Sequence, residues 1–365
     1  MNNKLVKILL IFLIAALVAG IIGFAIASQF AAEKDTRKIG YIMTGGKDED
    51  GWNGMNYKGI SAVCDSYGIE LILKEHVNEN SGECPEAVSQ LADEGAELII
   101  LSSYGYPSEV KELIDKYPGI SFYGNSSDYY SDNMTSYFGR MYQARYLAGI
   151  VAGMTTETNK IGYVAAMSNS EVNRGINAFA LGVKRVNPDA EVIVARTGLW
   201  NDEEKEKAAA RTLIDSYNVD LLTYHQNQPY VIDVAEEAGI YSIGYNEARD
   251  NVSEKYLTAA VWDWEKLYSD IVTDFLQGRA NSKQHHWCGL ETGAVGLSPY
   301  SPLVTQAARA EVDKAKNEIL SGRDIFSGEI FDNTGVIRCE NDEFISDTTL
   351  MNDLYWYVDG VIIHE

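Results

Sequence analysis

The sequence predicts an α/β protein of two tandem lobes, each a doubly wound parallel sheet, preceded by an N-terminal transmembrane or signal helix. Three observations predict it. From Lys38 onward, short β-type runs alternate with amphipathic stretches of helical period, and a β-α-β-α series packs as a parallel sheet with helices on both faces. The series then restarts, and its two opening runs are alike: Lys38-Ile-Gly-Tyr-Ile and Lys160-Ile-Gly-Tyr-Val. Ahead of both lies the uncharged apolar run Ile8 to Ala27, long enough to cross a bilayer, which takes roughly 20 residues.

Lys4 and Lys7 precede that run and would hold the N-terminus in the cytoplasm, leaving the rest of the chain outside. The run ends in Ala25-Ile-Ala27, a small-x-small pattern that a signal peptidase could read, but it exceeds the roughly 7–15 residues of a signal core. Residues 1–35 therefore read as an uncleaved anchor, with cleavage near Ala27 to a secreted or periplasmic form as the alternative. No cysteine stands near its end, so lipid attachment there is excluded.

The first lobe opens with a strand at Lys38–Met43, whose Ile39, Tyr41 and Met43 alternate along it. Gly54–Tyr67 carries apolar residues at helical spacing, and Glu70–Glu75 is the second strand. A helix at Cys84–Glu94, a buried strand at Leu98–Leu101, a helix at Ser108–Lys116 and a strand at Ile120–Gly124 follow. The second series runs helix Tyr142–Met154, strand Lys160–Ala165, helix Glu171–Arg185, strand Glu191–Ala195, helix Asp202–Tyr217 and strand Asp220–Tyr224. It closes with a helix at Pro229–Glu237 and a strand at Tyr241–Tyr245. No Pro/Ser-rich linker separates the two series, so the joins should be short.

Composition narrows the function classes. The 365 residues hold 53 Asp+Glu against 30 Lys+Arg, a net charge of −23, with 46% hydrophobic residues. That charge argues against a nucleic-acid surface, which needs clustered Lys and Arg. Lys4 and Lys7 are the sole charges in residues 1–29, so the exported part carries about −25, the −23 less their +2; it would stand beside an anionic membrane without adhering to it. Cys64, Cys84, Cys288 and Cys339 form no C-x-x-C pair; an oxidising compartment would permit disulfides in any of three pairings, and buried free thiols fit equally.

Catalytic motifs are missing. Gly40 to Lys47 departs from a P-loop by one residue of register, and Asp48 stands where Ser/Thr must bind Mg²⁺. Asp48-Glu-Asp50-Gly51 lacks a calcium loop's third ligand, replaced by Trp52, and its bidentate Glu. His285 and His286 are adjacent, so their side chains diverge, and no zinc spacing or G-x-S-x-G elbow occurs. The chain is read as a non-enzyme without metal or cofactor.

The strand ends carry aromatic and amide residues instead. Ligands of open α/β sheets bind beyond the carboxyl ends of the strands. Those ends offer Trp52 and Asn53, Tyr104, Asn125, Trp200, Gln226, Asn246 and Trp262, with Asp263-Trp264 following. Flat aromatic faces suit a ring, and amides supply both donors and acceptors to its edge. A heterocyclic base fits this combination, and so does a sugar.

Longer stretches carry a resemblance. Asp50-Gly-Trp-Asn-Gly-Met-Asn-Tyr-Lys-Gly59 resembles the first binding loop of the basic membrane protein family, the substrate-binding proteins of ABC importers that include purine-nucleoside receptors. Tyr142-Gln-Ala-Arg-Tyr-Leu-Ala-Gly-Ile-Val-Ala-Gly-Met154, Val172-Asn-Arg-Gly-Ile-Asn-Ala-Phe-Ala-Leu-Gly182 with Val186-Asn-Pro-Asp189, Thr197-Gly-Leu-Trp200 and Val261-Trp-Asp-Trp264 are similar to that family too. The likeness covers about residues 38 to 335.

The resemblance implies a type I periplasmic-binding-protein fold, two lobes joined by three crossovers with a ligand between them. The crossovers are expected near Tyr137-Phe138, at Val261 to Trp264, and between Cys288 and Ser298. Lobe 1 would then be residues 36–137 plus 263–290, and lobe 2 residues 138–262 plus 291–365. It further implies a monomeric receptor for a purine nucleoside or nucleobase that docks on a permease and its ATPase, with Trp52 stacking on the base and Asn53 as its polar neighbour. Asn246 departs from the pattern, since relatives commonly read Gly-Tyr-Asp there and the carboxylate holds ribose hydroxyls; an amide lacks the charge-assisted bond, roughly twice as strong. A sensory module on the same fold, a sugar-binding protein and an exported nucleoside hydrolase are the competing readings.

Overall fold

The computed structural model describes residues 36–127 and 129–364. The N-terminal anchor or signal helix, residues 1–35, lies outside the described residues. Among the described residues, no helix is long and apolar enough to cross a membrane.

Two parallel sheets form the lobes. The first uses β1 (Lys38–Ile42), β2 (Glu70–Lys74), β3 (Leu98–Leu101), β4 (Ser121–Asn125) and β5 (Met134–Gly139), with β11 (His285–Cys288) added at its edge. Its order is β11-β5-β4-β3-β1-β2, and every pairing is parallel. The second uses β6 (Lys160–Ala165), β7 (Glu191–Arg196), β8 (Leu221–His225), β9 (Tyr241–Asn246) and β10 (Tyr256–Trp262). Two short edge strands complete it, β12 (Val295–Leu297) and β15 (Val361–His364), in the order β12-β10-β9-β8-β6-β7-β15. Only β12 runs antiparallel in that sheet. A small hairpin, β13 (Ile330–Phe331) with β14 (Ile337–Cys339), stands apart.

Strands covered on both faces must be apolar throughout, and Leu98–Leu101 is buried at every position. In each lobe the chain runs from the first strand to a neighbour on one side and then returns to the other side. This leaves a topological switch point between β1 and β3 and between β6 and β8.

The chain changes sheets three times. It leaves the first sheet after Gly139, just beyond Tyr137 and Phe138, which lie within β5. It returns after Trp262, where the helix Trp264–Leu276 packs on the helix Trp52–Tyr67. It passes back between Cys288 and Val295.

Helices Met141–Thr155 and Ser170–Val186 pack backbone to backbone. A Cβ on Gly149 would lie 2.0 Å from Phe179 O, and one on Gly182 would lie 2.0 Å from Tyr146 O. The polar residues of the second helix serve the C-terminal segment: Asn173 Nδ2 donates to Leu354 O (2.9 Å), Arg174 Nη1 to Leu350 O (2.6 Å) and Asn177 Nδ2 to Trp356 O (2.9 Å). That segment, with the helices Gln306–Leu320 and Asp347–Asn352, carries elements beyond those the alternation predicts. All four cysteines are buried free thiols, so the structure takes the second of the two readings offered for them.

Candidate functional site

The carboxyl ends of both sheets face one cavity of about 220 Å³, somewhat below the roughly 300 Å³ at which drug-sized pockets begin. From the first lobe come Thr44 after β1, Trp52 at a helix start, Ser103 and Tyr104 after β3, and Asn125 at the end of β4. From the second come Glu171, Trp200 after β7, His225-Gln226-Asn227 at the end of β8, and Tyr245 on β9. These positions flank the switch points, which is where the fold leaves backbone ends free for a ligand.

Trp52 is fixed before any ligand arrives. Its Nε1 donates to Ser102 O (3.1 Å), and its ring stands edge-on to Trp264 (5.0 Å, 85°) and Trp262 (6.2 Å, 85°). Trp262 and Trp264 stack on each other at 4.5 Å and 18°. They belong to the second change of sheet, so the joint between the lobes braces the cavity's aromatic wall. Edge-to-face contacts at these spacings add about 0.5–1.5 kcal/mol each beyond burial.

Several buried polar atoms make no protein hydrogen bond: Asn125 Nδ2, Gln226 Oε1 and both ring nitrogens of His225, whose Nε2 has only the longer contact to Glu171. Buried polar atoms are normally satisfied, and all three residues line the cavity. They present one amide donor, one amide acceptor and an imidazole that can be either. Gln226 is held by Nε2 donating to Thr197 Oγ1 (2.8 Å), which directs its amide.

Behind the cavity lies a buried charged layer. His225 Nε2 stands 3.7 Å from Glu171 Oε1, and its ring packs on Tyr245 at 4.8 Å. Arg145, fully buried, lies over the Tyr245 ring at 3.8 Å and donates from Nη1 to Tyr224 O (2.7 Å). Burial pushes the His225 imidazole down to about 4, with nearby Arg145 and Arg174 adding to the shift against the pull of Glu171. His225 is therefore neutral at pH 7.

Of the eight residues the sequence singles out, Trp52, Tyr104, Asn125, Trp200 and Gln226 line the cavity. Three do not. Asn53 Nδ2 donates to Glu49 Oε2 (3.0 Å), and its Oδ1 accepts from Thr44 Oγ1 (3.2 Å), so its amide is spent within its own loop. Asn246 has a left-handed φ of 73°, donates to Gln226 O (3.3 Å) and faces a neighbouring cavity of about 240 Å³. Trp262 stands behind Trp52. Sequence reading missed His225 and Tyr245, although the strand-end rule that found Gln226 and Asn246 passes directly beside them. It also missed Glu171, which arrives from a helix start.

The lobes touch across the cleft. Gln228 Nε2 donates to Asp50 O (2.8 Å), and Gly51 N–H donates to Glu247 Oε1 (3.3 Å). Gly51 holds φ 73°, and a Cβ there would sit 2.1 Å from Asn227 O, so this approach requires glycine.

Residues 36–327 match the family model Bmp, described as ABC transporter substrate-binding protein PnrA-like. A Haloferax volcanii protein named as an ABC transporter glucose-binding protein is 31% identical over 333 residues, 90% of this chain and 81% of its own. A purine-binding protein of Brucella abortus is 30% identical over 350 residues, 94% of this chain and 98% of its own. Among solved structures, an ABC transporter solute-binding protein from Aeropyrum pernix superposes with a TM-score of 0.67 at 17% identity, covering 79% of this chain and 92% of its own. At that identity the likeness is one of fold.

Proposed function

The chain belongs to the Bmp family of PnrA-like ABC transporter substrate-binding proteins, and on that premise we propose that it binds a purine nucleoside or nucleobase between its two lobes. One observation carries the reading: unpartnered amide and imidazole atoms of Asn125, His225 and Gln226 share a cavity with the rings of Trp52 and Trp200. A planar heterocycle satisfies that set, stacking on the rings and exchanging hydrogen bonds along its edge. Asn246 lines the adjoining cavity instead of this one and carries no charge, which favours a free base over a ribose that a carboxylate would hold.

The lobes in this reading are residues 36–139 plus 263–290 and residues 140–262 plus 291–365, with β5 kept whole in the first. Bound ligand touches both and biases the hinge at the three changes of sheet toward closure. The closed monomer, tethered outside the membrane by residues 1–35, delivers its cargo to a permease pair driven by a cytoplasmic ATPase.

A sugar is the second reading, favoured by the name of the Haloferax relative, since a pyranose also stacks on indole. The site test is Trp52→Ala in the full chain. Stacking of a base on an aromatic ring is worth about 1–3 kcal/mol, so the dissociation constant for the preferred purine should rise about 5- to 150-fold by calorimetry. Unchanged affinity removes Trp52 from the site.

A further inference from the structure

The strand that closes the first sheet brings together three side chains that the ligand cavity does not use. His286 and Cys288 lie two apart on β11, and strand alternation turns both to one face. There Cys288 Sγ stands 3.2 Å from His286 Nε2. The helix Trp264–Leu276 lays Asp270 against the same point, with Oδ2 at 4.0 Å from Cys288 Sγ. The three candidate ligand atoms all fall within 4.8 Å of one another; His286 and Cys288 are buried, and Asp270 is exposed.

We propose that Asp270, His286 and Cys288 form a zinc site. One sulfur, one imidazole nitrogen and one carboxylate oxygen make a donor set that suits Zn²⁺. Zinc–ligand bonds of about 2.0–2.3 Å in a tetrahedron set its ligand atoms about 3.4–3.6 Å apart, and the observed 3.2 and 4.0 Å bracket that spacing. Rotation of the exposed Asp270 side chain would close the remaining separation, which is at most 4.8 Å. Exposed Asp270 provides the entry path, and water completes the fourth position.

The site would join the first element after the second change of sheet to the last element before the third, clipping together the two segments that re-enter the first lobe.

The test uses the full chain, stripped with chelator and kept reduced by a phosphine, titrated with Co²⁺ and then Zn²⁺. The expected result is one equivalent of Co²⁺ with a thiolate-to-cobalt charge-transfer band, displaced by Zn²⁺, and a rise in melting temperature with Zn²⁺. Cys288→Ser should abolish the band. Asp270→Asn changes an exposed residue and leaves folding intact, so it should weaken Zn²⁺ binding by at least about tenfold with unchanged circular dichroism. Absence of the band at stoichiometric Co²⁺ would mean that Cys288 and His286 share only a hydrogen bond, and the proposal falls. A band that persists in Cys288→Ser would assign it to another thiol, with the same consequence.

Discussion

His225→Asn tests the electrostatics of the cavity's rear wall through the pH dependence of stability. The buried imidazole takes up a proton only near pH 4 in the folded chain, whereas an unfolded histidine does so near 6.5. Between those values the unfolded state binds more protons, so stability falls as pH falls. The sign follows from a depressed folded value: the contribution is complete above about pH 6.5 and is lost progressively toward pH 4. Integrated from pH 7.5 to 4.5, the loss attributable to this one group is about 2.5 kcal/mol. Asparagine does not titrate. Urea denaturation of the wild type and the variant at matched pH values should show the wild type losing about 2.5 kcal/mol more than His225→Asn over that interval. Titrating groups distant from His225 act alike in both proteins and cancel in the comparison. Parallel curves for the two proteins would mean that His225 is solvated and titrates normally, refuting the buried neutral imidazole.

Packing, burial and the aromatic wall give three further outcomes. Gly182→Ala forces a methyl against Tyr146 O in the tightest helix pair and should cost at least about 1–3 kcal/mol in urea melts, whereas Gly296→Ala meets open space and should stay within about 0.5 kcal/mol. Burial raises Glu206 to about 7, so its stabilising protonated form is lost as pH rises through 7; Glu206→Gln should gain about 1–3 kcal/mol over wild type at pH 8 and much less at pH 5, by thermal or urea melts. Trp52→Ala should retain the far-ultraviolet spectrum of the wild type while weakening ligand binding.

The regular elements were legible because their periods are strong. Leu98–Leu101 is continuous apolar sequence, and Lys160–Ala165 repeats the opening strand, so both were found with their observed bounds. β5, Met134-Thr-Ser-Tyr-Phe-Gly139, and β10, Tyr256-Leu-Thr-Ala-Ala-Val-Trp262, mix small and polar residues without alternation, because both are buried on each face by neighbours distant in sequence. The cavity was partly legible for a topological reason. Residues just past parallel strands must gather at one end of a sheet, which locates Trp52, Tyr104, Asn125, Trp200 and Gln226 without any knowledge of packing. Direction was not legible. Asn246 lies at a strand end, but its left-handed backbone turns its amide to Gln226 O. The adjacency of His285 and His286 hid a different pair, because a strand sets His286 beside Cys288 rather than beside its neighbour.

The most direct measurement of the central claim is a thermal-shift and calorimetric panel of purine nucleosides, purine bases, pentoses and hexoses on the full chain. A purine compound at 100 times its dissociation constant should stabilise the protein by about 2.7 kcal/mol, bind one per chain and bind more weakly to Trp52→Ala. A hexose or pentose that shifts the melt while every purine leaves it unmoved would contradict the account.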